Sequence, residues 1–166
     1  MIRNWILAAL FAVGVVVGGA VVGASSEAAA ADRHVGYYYP YPSSTKLYES
    51  RAQQLPGVNR NTRIGFVTGL AAQQAERSFP IQTAIFAKGA EAEKLIIVSL
   101  TDGRINSLYR ARAVLALLTA TARTTEIFQK FQVETVFTFL DLCKMLGFKQ
   151  FTISDGVTFS HQVRIP

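Results

Sequence analysis

Three arginines stand close together where the sequence predicts the start of a helix. Arg104, Arg110 and Arg112 precede or open the stretch "INSLYRARAVLALLTATAR", which covers residues 105–123. The first turn of a helix carries partial positive charge, which favours acids over cations. Its free backbone N–H groups, together with guanidinium groups, can bind a carboxylate or a phosphate. These three arginines are therefore the candidate ligand-binding residues of the chain.

The anion that Arg110 faces has two possible sources. On a helical wheel Arg110 falls between Leu117 and Thr121, beside the apolar side of the helix, so it does not simply point to water. One source is an internal ion pair, although desolvating such a pair need not stabilise the fold. The candidate acids for that pair are Asp102, Glu134 and Asp141. The other source lies outside the domain, in a small ligand or another subunit.

Other residue types that do chemistry are scarce. The chain has one cysteine, Cys143, and two histidines, His34 and His161, far apart in sequence. This set provides neither zinc-ligand spacing nor a nucleophile beside a base, and both glycine-rich phosphate-loop motifs are missing. Cys143 is predicted to be a buried thiol, and His161 a packed or hydrogen-bonded strand residue. The sequence predicts no catalytic residue, no metal and no cofactor, and it favours a non-enzymatic role.

The 166-residue chain is basic, with a formal net charge of +6 and a pI near 9.7. Its cations are spread along the sequence and are not interleaved with aromatic residues in one motif. This distribution argues against a nucleic-acid partner. Anionic lipid headgroups or an acidic protein surface are better matched to it.

The N-terminus contains an uncharged apolar run at residues 5–24. At 1.5 Å per residue such a run is about 30 Å long, enough to span the hydrocarbon core of a bilayer. Residues 1–26 are therefore predicted to be a membrane anchor, or a signal peptide cleaved near the small residues at 29–31. The domain would then face the periplasm from the bacterial inner membrane, or be released into the periplasm.

Residues 27–62 are rich in Ala, Tyr, Pro and Ser and are predicted to form a tether. Its tyrosines at 37–39 and 41 would contact a membrane interface, a partner or the chain's own domain. Residues 63–166 are predicted to form a small α+β domain. In that domain an antiparallel sheet from two hairpins carries two helices on one face.

The elements follow from hydrophobic periodicity and turn residues. The predicted order is a strand then a helix within 63–79, a hairpin from 81–87 and 95–100, a helix over 105–128, a helix over most of 133–150, and a hairpin from 151–154 and 157–165. Gly147 is predicted to cap the second long helix. The pair at 155–156, Asp-Gly, is predicted to form the last turn.

Two segments, "FPIQTAIFAKGAEAEKLIIVSLTDGRINSLYRARAVLALLTA" and "FTISDGVTFSHQVRI", carry a resemblance that covers roughly residues 63–166. They resemble small exported proteobacterial proteins labelled molybdopterin-guanine dinucleotide biosynthesis protein A. Enzymes of that name are cytoplasmic nucleotidyltransferases with a glycine-rich opening motif of the type L-x-G-G-x-S-x-R-M-G. Here the only Gly-Gly pair, Gly18-Gly19, lies inside the apolar run, so the resemblance implies a label without its catalytic residues.

These observations favour a non-catalytic envelope protein that serves as an accessory subunit or interaction module of an inner-membrane or periplasmic assembly. The alternative is a periplasmic domain that binds a small anion through Arg104, Arg110 and Arg112. An enzyme related to molybdopterin cofactor metabolism is a third alternative. The partner in the first case would be a protein of the envelope.

Overall fold

The computed structural model describes residues 40–76 and 80–166. The predicted anchor at 1–26, His34 and the tyrosines at 37–39 lie outside the described residues. The elements in chain order are β1 (Ser44–Leu47), α1 (Arg60–Ala75), β2 (Thr83–Lys88), β3 (Lys94–Ser99), α2 (Leu108–Arg123), α3 (Glu126–Phe131), α4 (Phe139–Met145), β4 (Gln150–Ser154) and β5 (Ser160–Arg164).

The five strands form one mixed sheet in the order β1-β5-β4-β3-β2. The two predicted hairpins, β2–β3 and β4–β5, are present and antiparallel. However, β3 pairs with β4 in parallel, and β1 pairs with β5 in parallel. The prediction of a purely antiparallel sheet is therefore wrong. The connection from β3 to β4 contains three helices, which is long enough to return the chain to the same end of the sheet.

Strand β1 lies in the stretch that the sequence assigned to a tether. The backbone N–H of Ser43 donates to Ser160 O at 2.7 Å, and that of Tyr48 donates to Arg164 O at 2.8 Å, so the pairing extends beyond both ends of β1. Most side chains of β1 are exposed because it is an edge strand. This explains why the sequence shows no clear alternation there.

The described residues contain four helices, whereas the sequence predicts two that pack on the sheet and a further one within 63–79. Helix α1 replaces the predicted strand at 63–67, because the Asn59 side chain accepts a hydrogen bond from Thr62 N at 3.1 Å and starts the helix. The predicted helix over 105–128 is divided into α2 and α3 at residues 124–125. Helix α4 is shorter than predicted, and Gly147 follows it at φ +73°, as expected of a helix C-terminus.

One face of the sheet and all four helices share a single apolar core. The strands contribute alternate residues of β3, β4 and β5, namely Leu95, Ile97, Phe151, Ile153 and Val163. The helices contribute, among others, Val67, Ala111, Phe128 and Phe139. The rings of Phe139 and Phe151 meet edge to face at 5.7 Å between centroids, which joins α4 directly to β4.

The buried carboxylate of Asp141 ties the segment after β1 to the start of α4. It accepts hydrogen bonds from Thr138 N at 2.8 Å, Ser50 Oγ at 2.7 Å and Tyr48 Oη at 2.9 Å. Burial alone raises the pKa of Asp141, but these hydrogen bonds outweigh burial and hold the pKa below its usual value. Asp141 is therefore ionised and fully occupied within the fold.

The buried cation of Arg63 binds the turn between β2 and β3 and lies close to the loop after α4. Its side chain is 6% exposed, its Nε donates to Glu91 O at 2.7 Å, and its Nη2 lies 3.7 Å from the Glu91 carboxylate. A Cβ atom added at Gly147 would lie 2.8 Å from Arg63 Nη1. Position 147 therefore requires glycine both for its positive φ and for this close approach.

Candidate interaction site on helix α2

Helix α2 begins directly after a tight turn. Gly103 adopts φ +69° in that turn, and the fully buried side chain of Ile105 anchors the chain before the helix. Ser107 is the N-cap, and its Oγ accepts a hydrogen bond from Arg110 N at 3.4 Å. No acidic residue stands in the first turn. The sequence therefore places an arginine where a carboxylate would normally complement the helix dipole.

The three predicted ligand-binding arginines are all exposed, but they do not converge on one point. The Arg110 guanidinium lies over the turn, since its Nη1 would be 3.8 Å from a Cβ at Gly103. Arg104 belongs to that same turn. Arg112 lies on a different side of the helix, 160° away from Arg110 on the wheel, and close enough to His161 to lower the pKa of that imidazole.

None of the three arginines forms an internal ion pair in the described part of the chain. No acid there lies within 4.0 Å of Arg104, Arg110 or Arg112, whereas Arg63 does form an ion pair, with Glu91. Asp141, one of the predicted partners of Arg110, is occupied by the hydrogen bonds described above. The fold itself therefore supplies no partner for the Arg110 charge.

The solvent-facing side of α2 is apolar at its centre, and we call it the outer arc. It consists of the exposed residues Tyr109, Ala113, Ala116, Leu117 and Ala120. Tyr109 is 83% exposed and Leu117 is 67% exposed. At 100° per residue Arg110 borders the arc on one side, and Arg112 and Arg123 border it on the other. Helix α2 contains no acid at all.

An apolar groove runs beside the outer arc, between α1 and α2. It encloses about 440 Å³. Its main apolar lining residues are Phe66, Leu70, Leu118, Ile127, Phe139 and Leu142. Consecutive residues of a helix point 100° apart, and Arg110 and Thr121 fall between Leu117 and Leu118 on the wheel. The groove and the outer arc are therefore separate apolar surfaces.

His161 is the other group near this region that could do chemistry. Its Nδ1 is 2.7 Å from Ser44 Oγ, and burial lowers the pKa of His161, as do the nearby cations Arg112 and Lys46. His161 is therefore neutral near pH 7. No carboxylate of the described residues hydrogen-bonds to it, so a Ser-His-acid arrangement is not completed. The sequence does not indicate Ser44 as the hydrogen-bond partner of His161, because no pattern in it predicts β1.

The single cysteine of the chain, Cys143, is not set up for chemistry in this fold. The Cys143 thiol is fully buried, and burial raises its pKa well above the ordinary value, so it is a poor nucleophile.

Within residues 40–76 and 80–166, no group of three His, Cys, Asp or Glu side chains comes together to hold a metal ion. In the same residues, no helix combines the length and apolar character needed to cross a membrane.

Comparison with known proteins adds no further information on this site. No protein-family model, no curated protein and no solved structure matches the chain. The resemblance noted from the sequence therefore stays a prediction. The site has to be interpreted from its own geometry.

Proposed function

We propose that this protein is a non-catalytic interaction module of the bacterial envelope, an accessory subunit of an inner-membrane or periplasmic assembly. Its outer arc on α2 binds an acidic, apolar-faced segment of a partner protein. The observation that carries this proposal is the composition of that arc. An uncharged centre is exposed between arginines that have no acidic partner in the described fold.

The chemistry of the outer arc matches a protein partner. Tyr and Arg are enriched at the energetically important positions of interfaces, and Tyr109 with the flanking arginines supplies both types. A helix with an apolar stripe between carboxylates would cover Leu117 and Tyr109 and pair with the arginines on both sides. A second copy of α2 is a poor occupant, because it would place arginines against arginines.

The experiment is site-specific photo-crosslinking in cells. A benzoylphenylalanine placed at position 109 keeps an aromatic side chain in the arc and should capture one partner, with the crosslinked peptide rich in Asp and Glu. Leu117→Glu should abolish the crosslink, because it puts a carboxylate where the partner's own acids approach. Val157→Glu is the matched control, since Val157 is 73% exposed and lies outside α2.

Two outcomes of the crosslinking experiment would contradict the proposed contact. Capture that persists in Leu117→Glu, or that is lost equally in Val157→Glu, would show that the arc does not form the contact. A further variant, Arg112→Glu, should also abolish the crosslink. Acid-to-Lys changes in the captured peptide should then restore it in Arg112→Glu.

The envelope location is supported by the apolar run at residues 5–24 and is tested separately. Intact mass of the tagged chain recovered from membranes distinguishes its two forms. A full-length mass agrees with an anchored subunit, whereas a mass that begins near Asp32 agrees with a cleaved, periplasmic form. Recovery of the chain in the cytosolic fraction alone would contradict both forms.

A second candidate function is the binding of a small anion through Arg104, Arg110 and Arg112. It is favoured by the position of the Arg110 guanidinium over the turn that contains Arg104. A carboxylate or phosphate that binds there should raise the melting temperature of the chain. This gain should disappear in Arg110→Gln and persist in Arg123→Gln. The third alternative, an enzyme of molybdopterin cofactor metabolism, has no supporting residue set in the described part of the chain.

A further inference from the structure

A second basic surface lies at one end of the sheet, where β3 and β4 begin and β1 and β5 end. It surrounds a pocket of about 500 Å³, which we call the strand-end pocket. Four cationic side chains line it, namely Lys94, Lys144, Lys149 and Arg164. None of them belongs to α2, so this pocket is independent of the outer arc and of the function proposed for it.

Strand register places two of these cations on the same face. Lys94 pairs with Gln150 across the parallel β3–β4 ladder, and Gln150 pairs with Arg164 across the antiparallel β4–β5 ladder. Paired residues point to the same side of a sheet, and neighbouring strands are about 4.8 Å apart. The backbone positions of Lys94 and Arg164 are therefore about 10 Å apart, a distance that two long side chains can close around one anion.

The third cation, Lys149, is aligned with Glu93 and Ile165, so alternation places its side chain on the other face from Lys94 and Arg164, and it lines the pocket at the end of the sheet. Lys149 N donates to Glu93 O at 2.8 Å, and Ile165 N donates to Lys149 O at 2.9 Å. These bonds fix the Lys149 backbone at the entrance to β4, and its side chain is exposed. Lys144 differs from the other three cations, because its Nζ donates to Pro166 O.

The pocket carries more positive charge than its surroundings neutralise. Its one acidic side chain, Glu93, accepts a hydrogen bond from Glu91 N at 3.0 Å. Hydrogen bonding to backbone N–H groups, together with Lys94 and Lys149, holds the pKa of Glu93 below its usual value, so one negative charge is present. No carboxylate of the described residues lies within 4.0 Å of Lys94, Lys149 or Arg164. Gathering like charges in this way is unfavourable unless an anion offsets it.

We propose that the strand-end pocket binds a phosphate-bearing anion between Lys94 and Arg164, with the positive charge of Lys149 at the end of the sheet adding to the attraction. Phosphate suits the site better than a single carboxylate, because it carries more charge and accepts the bidentate hydrogen bonds that a guanidinium offers. Gln162 is an uncharged donor at the same pocket, and the exposed side chain of Leu47 offers apolar contact to the rest of the ligand. The ligand is thus a phosphorylated small molecule or a phospholipid headgroup.

The test uses the full chain in a non-ionic detergent and isothermal titration calorimetry with sodium pyrophosphate at constant ionic strength. Saturable binding is expected. Lys94→Gln and Arg164→Gln should each weaken it by about tenfold, the loss expected for one charge-assisted contact. Lys130→Gln is the matched control, because it makes the same charge change at an exposed lysine of α3 outside the pocket. Affinity in this variant should equal that of the native chain.

A second titrant distinguishes the two sources of phosphate. Glycerophosphoglycerol is the headgroup of phosphatidylglycerol without acyl chains. If it binds at least as tightly as pyrophosphate and loses affinity in Arg164→Gln, the ligand is a lipid headgroup. If only pyrophosphate binds, the ligand is a soluble phosphorylated molecule. Absence of saturable binding for both titrants, or an equal loss in Lys130→Gln, would overturn the proposal.

Discussion

Helices α2 and α4 pack against each other, yet they use their residues in opposite ways. Six of the seven residues of α4 are buried, and an acid in its first turn completes its N-terminus. Only two of the sixteen residues of α2 are buried, its first turn has no acid, and its outer arc is apolar. The fold alone explains the sequence of α4. It does not explain why Tyr109 and Leu117 are exposed between arginines, and this difference is the basis of the partner proposed for α2.

The two helices offer the same residue type in opposite settings. Leu142 of α4 is 1% exposed, whereas Leu117 of α2 is 67% exposed. We expect Leu142→Ala to lower the free energy of unfolding by about 3–5 kcal/mol, because it leaves a cavity in the core. Leu117→Ala should change it by less than about 0.5 kcal/mol. Urea unfolding of both variants measures the contrast, and a comparable loss in Leu117→Ala would mean that the arc is part of the core.

The next largest effect is expected at Asp141. Asp141→Ala removes the acceptor of Thr138 N and of the Tyr48 and Ser50 hydroxyls. The free energy of unfolding should fall by about 2–3 kcal/mol, because buried donors lose their partner. Asp102→Ala, at an exposed acid beside α2, is the control and should be nearly neutral. Equal losses in both variants would show that the Asp141 hydrogen bonds contribute little.

The same carboxylate predicts a pH dependence. Its pKa in the folded chain is below the value of about 3.9 expected when the chain is unfolded. The unfolded state therefore takes up the proton first, so the stabilisation is complete above about pH 4 and is lost as the pH falls through the folded pKa. Asp141→Asn should have a shallower loss of stability between pH 4 and lower values. An unchanged slope in acid unfolding curves would contradict this assignment.

Two glycines in contrasting settings give a smaller effect. Gly147→Ala should cost about 1–2 kcal/mol, because φ is +73° and the new Cβ would meet Arg63. Gly69→Ala in α1 should instead stabilise the chain by about 0.5–1 kcal/mol, because that helical glycine has nothing within 4 Å of a Cβ. Thermal unfolding compares the two. A loss in Gly69→Ala would show that this face of α1 is covered.

Local patterns could be predicted from the sequence, whereas long-range pairings could not. The runs that became β2, β3 and β4 are β-branched and bounded by turn residues, so their hairpins were identified. The direction of β4 relative to β3 depends on where three intervening helices return the chain, and no local pattern encodes that. Strand β1 was missed because an exposed edge strand shows no alternation. The start of α1 has few apolar residues, and its capping pair, Asn59 and Thr62, differs from the usual Ser/Thr-x-x-Glu/Gln pattern, so the sequence there does not indicate a helix start.

At the candidate site, too, local patterns could be predicted from the sequence and long-range contacts could not. Three- and four-residue spacing alone is enough to put Ala111 and Ala122 inside the fold and Arg112 and Arg123 outside, where the structure has them. The same spacing puts Thr119 with the two arginines, but Thr119 is half-buried and its Oγ1 accepts a hydrogen bond from Phe139 N at 3.2 Å. Periodicity gives the side of a helix on which a residue lies. It does not give the distance from Arg110 to an acid, since this distance depends on the packing of other elements.

The smallest change in stability is expected at Arg110, and measuring it tests whether the anion of this arginine lies inside or outside the domain. If its anion comes from outside the domain, Arg110→Ala should change the free energy of unfolding by less than about 0.5 kcal/mol. A buried internal pair would instead cost about 3–5 kcal/mol when broken. Urea unfolding of this variant beside Arg123→Ala separates the two cases. A large loss in Arg110→Ala alone would assign this arginine to the fold, whereas a small loss together with a lost α2 crosslink would assign it to the partner.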